Sequence, residues 1–190
     1  TYGIPEFNTS FVRKMLQDTM PQSFSDLLRI SGFSHGTDVW LNNAQDLIVN
    51  KIAPVSQTIS TRDDIMLFLI QRGMEESLSF KIMEGVRKGR GLKDDQEAAM
   101  HESDIPQWFI DSCKKIKYLF PKAHAVAYVM MAFRIAWFKI NEPLAFYASY
   151  FSVRGIDDFD IAIIQNGEEA VRQAIMDLYE QGNAMSAKDK

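Results

Sequence analysis

Phe120-Pro121-Lys122-Ala123-His124-Ala125-Val126-Ala127-Tyr128 opens the longest periodic stretch of the chain, apolar as far as Ile140 apart from isolated charges. Pro121 suits the start of a helix, where a missing N–H costs nothing, and Asn141-Glu142-Pro143 stops the pattern. The spacing predicts a helix over about 122–140, and a chain built around it is predicted to be all-α. On that helix His124 and Tyr128 share a face, while Ala125 and Ala127 keep nearby bulk low. Lys122 lies at the helix start, where the backbone dipole is also positive. A cation, an imidazole and a phenol beside a bare surface could receive a nucleotide: phosphates near Lys122 and His124, a base or sugar against Tyr128. The same pattern also suits a buried helix in which His124 and Tyr128 satisfy each other.

Helical periodicity continues on both sides. Asn8 or Thr9 caps a helix carrying Phe11, Met15 and Leu16; Ser23 caps a second with Phe24, Leu27 and Leu28, closed by Gly32. The pattern breaks at Ser34-His35-Gly36-Thr37-Asp38, and a long structured loop is predicted near residues 34–60. Thr61 opens the next helix, with Ile65, Met66, Leu69 and Ile70 on one side and Gly73 at its end. Glu75 to Lys88 follows, then a polar helix over Asp94–Ser103 and one capped by Asp104 that runs to about Leu119. Beyond the long helix come an aromatic helix over Pro143–Val153 and helices near Asp158–Gln165 and Glu168–Gln181. Only Val39–Leu41 and Ile48–Ile52 hint at strand, and no internal repeat is visible.

Composition narrows the function classes. With 190 residues, 46% hydrophobic and 24% charged, the chain is globular rather than disordered. Its net charge of −4 excludes a polycationic nucleic-acid coat. The charge is uneven: residues 155–190 carry a net of −5 and residues 1–154 a net of +1. That shift divides the chain into a near-neutral body, 1–154, and an acidic helical extension, 155–190. A lone Cys113 forms no internal disulfide, which fits a reducing cytoplasmic compartment, and it builds no zinc cluster with three scattered histidines. The longest uncharged apolar run, Ala125–Phe133, has nine residues, far short of the roughly 20 that span a bilayer, so no membrane contact is expected. The first residue is Thr1 rather than Met, as expected of a piece of a longer protein.

Few residues read as catalytic. His101 lies among Glu97, Glu102 and Asp104 and reads as a surface residue. Ser34 and His35 are adjacent and point apart in extended chain, which argues against a hydrolytic triad and leaves backbone capping or ligand contact. Asp63-Asp64, Asp94-Asp95 and Asp157-Asp158 sit near helix starts, where they cap amides; neighbours on a helix do not converge on one ion. Lys81, Arg87, Lys88, Arg90 and Lys93, interspersed with Gly85, Gly89 and Gly91, could hold a DNA backbone.

Taken together, Ser31-Gly32-Phe33-Ser34-His35-Gly36-Thr37-Asp38-Val39-Trp40-Leu41, Arg62-Asp63-Asp64-Ile65-Met66, Phe80-Lys81-Ile82-Met83-Glu84 and Phe120-Pro121-Lys122-Ala123-His124 resemble the PolC-type catalytic alpha subunit of bacterial DNA polymerase III, from Gly3 to roughly Lys190. The resemblance implies a fingers region that closes over the incoming deoxynucleoside triphosphate (dNTP) and the template–primer DNA. It makes Lys122, His124 and Tyr128 nucleotide-facing and Arg62 a phosphate contact. Ser34 and His35 would line the base region that anilinouracil-type inhibitors exploit, with Arg87 and Lys88 near the DNA backbone. The Mg2+ ions would be held by an upstream palm, so no metal or other cofactor is expected on this chain. The palm and other domains of the polymerase would be partners, with a sliding clamp reached through other regions, in the cytoplasmic replisome. Val126 stands where many relatives have alanine, and no role carries over to Lys51–Ser60. A stand-alone helical DNA-binding module, or an interaction domain docking through Pro143–Val153, is the alternative.

Overall fold

The computed structural model describes residues 1–154 and 160–184, which are helical without a strand; the one isolated β-bridge pairs Thr37 with Tyr118. In chain order the helices are α1 (Ser10–Thr19), α2 (Phe24–His35), α3 (Gln45–Val49), α4 (Arg62–Gln71), α5 (Glu76–Arg87), α6 (Asp94–Glu102), α7 (Gln107–Lys115), α8 (Lys122–Asn141), α9 (Pro143–Arg154), α10 (Ile161–Gln165) and α11 (Glu168–Ala184). The all-α class read from the sequence is the observed one. Two compact units divide inside α8, at Thr1–Ala136 and Trp137–Lys190.

Side-chain oxygens start the helices where the sequence places them. Thr9 accepts from Val12 N–H, and Ser23 and Asp26 cap α2 reciprocally. Gly32 does not close α2. The helix runs on to His35, with Gly36 as its cap, so Ser34 and His35 belong to its last turn rather than to a loop. Gly32 is there for proximity instead: a Cβ on it would lie 2.5 Å from the Ser60 carbonyl oxygen. The 34–60 segment is partly helical. A kinked, wide turn at Trp40–Ala44 leads into α3; of the stretches that hinted at strand, Val39–Leu41 falls at the start of that turn and Ile48–Ile52 on the end of α3 and the turn after it. Asp104 caps nothing; it adopts φ +53°, and α7 starts after Pro106 and stops at Lys115. Residues 116–120 are extended. Of the predicted 158–165 helix, 158–159 lie outside the described residues, and Asp160 caps the remainder.

The first unit closes over Met15, Ile30, Phe33, Ile65, Leu69, Ile82, Met100, Phe109, Ile110, Ile116 and Leu119, all fully buried. Each such side chain contributes about 1.5–3 kcal/mol. Phe68 stacks on Phe109 at 4.1 Å between ring centroids. From α8 only Ala125, Val129 and Ala132 enter this core, a narrow stripe at helical spacing, and Tyr128 stays 42% exposed. In the second unit Phe146 is buried, stacked on Tyr150 and covered by the Lys139 ammonium. By length and composition α8 is apolar enough to cross a membrane, which the nine-residue run did not suggest. Single cations such as Arg134 interrupt that apolarity without ending it.

Candidate functional site

Two helix starts meet at the site. Arg62 N–H, at the head of α4, donates to the Phe120 carbonyl (3.1 Å), and Lys122 N–H, at the head of α8, donates to Asp63 Oδ2 (2.7 Å). Asp63 therefore caps the neighbouring helix, not its own. Asp64 caps α4: its Oδ2 accepts from Thr61 N–H (2.9 Å), Ser60 N–H (3.0 Å) and Ser60 Oγ (2.6 Å), and faces Arg29 at 3.5 Å. Lys122 Nζ stands 3.9 Å from Asp64 Oδ1 and its side chain is 39% exposed. The first amide of α8 is thus already given to a carboxylate. An anion arriving at this end meets the Lys122 side chain rather than that amide. The Arg62 side chain is half-buried and makes no ion pair among the described residues.

The extended segment before α8 is strapped down along its length. Thr37 N–H donates to Tyr118 O and Lys117 N–H to Thr37 O, both at 3.0 Å, and Leu119 N–H reaches Arg87 O at 3.3 Å. Gly36 makes this approach possible, because a Cβ there would lie 2.9 Å from Tyr118 O.

A continuous run of rings results. Centroids are 5.2 Å apart for Tyr118–Phe120, 4.8 Å for Phe120–His124 and 4.4 Å for His124–Tyr128. The His35 ring stands edge-on to Phe120 at 5.4 Å and to His124 at 6.1 Å. Lys122, His124, Tyr128, Ser34, His35 and Arg62 are therefore gathered around the junction of α2, α4 and α8. His124 and Tyr128 do pair, but at a half-open surface rather than in a buried core.

Contrary to the sequence expectation, Ser34 and His35 do not point apart: Ser34 Oγ lies 3.0 Å from His35 Nδ1. They still do not form a nucleophile and base. Nδ1 also faces the Ser31 carbonyl at 2.8 Å, which only a donating nitrogen satisfies, and Ser34 Oγ donates to the same carbonyl at 2.9 Å. His35 Nε2 faces Glu6 Oε2 at 3.2 Å. A cavity of about 440 Å³ opens here, lined by Glu6, Asn8, Thr9, Phe11, Val12, Ser34 and His35.

Arg87 and Lys88 stand apart from this junction, and their charges converge on Glu84. Arg87 Nη2 donates to Glu84 Oε2 at 3.0 Å and Lys88 Nζ lies 2.7 Å from the same oxygen. Those hydrogen bonds, from Arg87 first and then Lys88, pull the Glu84 carboxyl down to about 2. Lys81 and Arg90 remain exposed nearby. His101 is exposed, 3.8 Å from Glu97. Burial pushes the Cys113 thiol far up, so it is inert. Among the described residues no group of three or more His, Cys, Asp or Glu is placed to hold a metal ion.

Residues 1–105, from the N-terminus through α6, match the model of the bacterial DNA polymerase III alpha subunit finger domain. The chain belongs to that family. Among its curated relatives, the PolC-type DNA polymerase III of Thermotoga maritima is 60% identical over 189 residues, covering all of this chain and 14% of the relative. Those of Listeria monocytogenes and Bacillus subtilis are 58% and 57% identical over 190 residues, again the whole chain and 13% of each relative. This finger-domain chain thus spans about one seventh of the polymerases it matches. The matched family region spans His35 and Arg62, and the stretch matched by the relatives runs on past Lys122, His124 and Tyr128.

Sequence reasoning missed Glu6, Tyr118 and the cross-helix role of Asp63. Phe120 stood inside the quoted motif without a role. Its four-residue spacing from His124, repeated from His124 to Tyr128, is the signal that could have found it.

Proposed function

We propose that this chain is the nucleotide-receiving fingers portion of a PolC-type replicative DNA polymerase. The dNTP triphosphate lies against Lys122 and Arg62, and its base or sugar stacks by His124 and Tyr128. Ser34 and His35 stand at the base end. Arg87 and Lys88 lie beside the template–primer backbone, where phosphates would compete with Glu84. Residues 1–154 form this region, and residues 155–190 lead toward the next domain. The observation that carries the reading is the half-exposed run Phe120–His124–Tyr128, on a helix whose first residue is the part-exposed cation Lys122.

Phosphoryl transfer asks a protein for positioning and charge stabilisation. In this reading Lys122 and Arg62 neutralise the β- and γ-phosphates as pyrophosphate forms, and the rings test the shape of the new base pair as the region closes. Divalent magnesium supplies stabilisation of the attacking and leaving oxygens in such enzymes. The acidic residues here do not fit it, since Asp63 and Asp64 already accept backbone amides. Palm carboxylates elsewhere in the polymerase would hold the metal. The sliding clamp would bind elsewhere too, the setting is the bacterial cytoplasm, and α8 serves nucleotide rather than membrane. A stand-alone DNA-binding module is the weaker reading, because two of its cations, Arg87 and Lys88, are already engaged by Glu84.

Single-nucleotide incorporation by the polymerase carrying this chain tests the proposal. Lys122→Ala should lower the rate by roughly 10²–10³, the loss typical of one preorganised electrostatic contact. Tyr128→Ala should raise the dNTP KM instead, with melting temperature unchanged. A fully active Lys122→Ala together with a destabilised Tyr128→Ala would defeat the assignment.

A further inference from the structure

The turn that precedes α1 carries a carboxylate with no role in the reading so far. Glu6 adopts φ +69°, a left-handed conformation that non-glycine residues seldom hold unless their surroundings fix it. Its neighbours Ile4 and Phe7 are both buried, and Phe7 N–H closes the turn on Ile4 O at 3.3 Å. The Glu6 side chain is only 12% exposed, and a carboxylate so covered requires partners. Its Oε2 has two: Ser31 Oγ and His35 Nε2, each at 3.2 Å.

The consequence falls on His35. Nδ1 lies 2.8 Å from the Ser31 carbonyl within α2, and Nε2 lies 3.2 Å from Glu6 Oε2 on a separate segment. The ring is thus bracketed at both nitrogens, a clamp built from two segments. The clamp matters because the cavity of about 440 Å³ beside the ring, with Phe11 and Val12 on its wall, leaves an unanchored side chain room to turn. Clamped, the ring stands edge-on to Phe120 and His124, the middle of the run that ends at Tyr128.

We propose that Glu6 is a positioning residue, whose carboxylate fixes the His35 ring against Phe120 and His124 and so sets the stack that faces the nucleotide. The proposal rests on the nucleotide-facing reading of that stack. Glu6 touches neither phosphate nor base. It acts through His35, so its loss should weaken nucleotide binding more than it slows turnover.

The test is steady-state single-nucleotide incorporation by the full polymerase carrying Glu6→Ala or Glu6→Gln, with Lys122→Ala alongside and melting temperature measured on each. Glu6→Ala should raise the dNTP KM about tenfold and leave kcat within about twofold, the scale expected of a displaced positioning group. Glu6→Gln, whose amide oxygen can accept from Ser31 Oγ while its NH2 can donate to His35 Nε2, should return KM to within about twofold of the parent. An unchanged KM in Glu6→Ala, with Lys122→Ala impaired, overturns the positioning role and leaves the nucleotide reading standing. A loss of kcat that merely tracks lost folded protein, no better in Glu6→Gln, also overturns it. Unchanged incorporation in both Glu6→Ala and Lys122→Ala would overturn the nucleotide reading, and the positioning role with it.

Discussion

At the residue scale, burial separates groups that face the solvent from groups that hold the fold. Tyr128 and Val129 are neighbours on α8, yet Val129 is fully buried and Tyr128 is 42% exposed. Val129→Ala should therefore cost about 1–3 kcal/mol in urea unfolding, while Tyr128→Ala should cost little. Glu84 gives a pH-dependent expectation. Its carboxyl is held at about 2 in the folded chain, against 4.5 without its partners. A depressed carboxylate contributes stability that is complete above its unfolded value and lost as pH falls toward its folded one. Thermal melting between about pH 5 and about pH 3 should fall less steeply in Glu84→Gln than in the parent. Identical slopes would show that the Arg87 and Lys88 pairs add nothing to the fold, the common outcome for exposed ion pairs.

At the element scale, the central feature is the clip between α4 and α8. Asp63→Ala removes the acceptor of the first α8 amide and should cost about 1 kcal/mol, as lost N-caps do, visible as a lowered melting temperature. Asp63→Asn should recover much of it, since an amide oxygen also accepts. Gly32→Ala places a methyl 2.5 Å from the Ser60 carbonyl oxygen, so α2 and the 58–61 segment must separate, at about 1–3 kcal/mol. Gly32 also shows where sequence reading stops. A glycine that ends a helix and one that admits a neighbouring backbone look the same in one dimension, and the nearby Ser34-His35-Gly36 made termination the simpler reading. Helix starts at Thr9, Ser23 and Thr61 were legible because the capping chemistry lies within three residues. The Asp63–Lys122 bond spans 59 positions and the Ser31–Glu6 bond 25, and nothing in local periodicity encodes either. The aromatic face of α8 was legible because His124 and Tyr128 are one helical turn apart. The gathering of His35 and Phe120 around it depends on the strap at Thr37 and Tyr118, which is tertiary.

At the scale of the whole molecule, the chain spans about a seventh of the length of the polymerases it resembles. With a net charge of −4 and its leading cations paired to Glu84, the isolated chain should bind duplex DNA weakly, with affinity falling as salt rises. Fluorescence anisotropy at two ionic strengths checks this, and nanomolar, salt-insensitive binding would contradict it. The isolated chain should also extend no primer, because the metal-holding carboxylates are assigned to the palm. The most direct measurement of the central claim is affinity labelling in the full polymerase. A dNTP bearing an amine-reactive group on its γ-phosphate would be bound to the polymerase on template–primer, and the labelled peptide read by mass spectrometry. The expected label is on Lys122, suppressed by excess correct dNTP; labelling of other lysines only, or labelling of Lys122 indifferent to competing dNTP, would contradict the placement of the triphosphate at the head of α8.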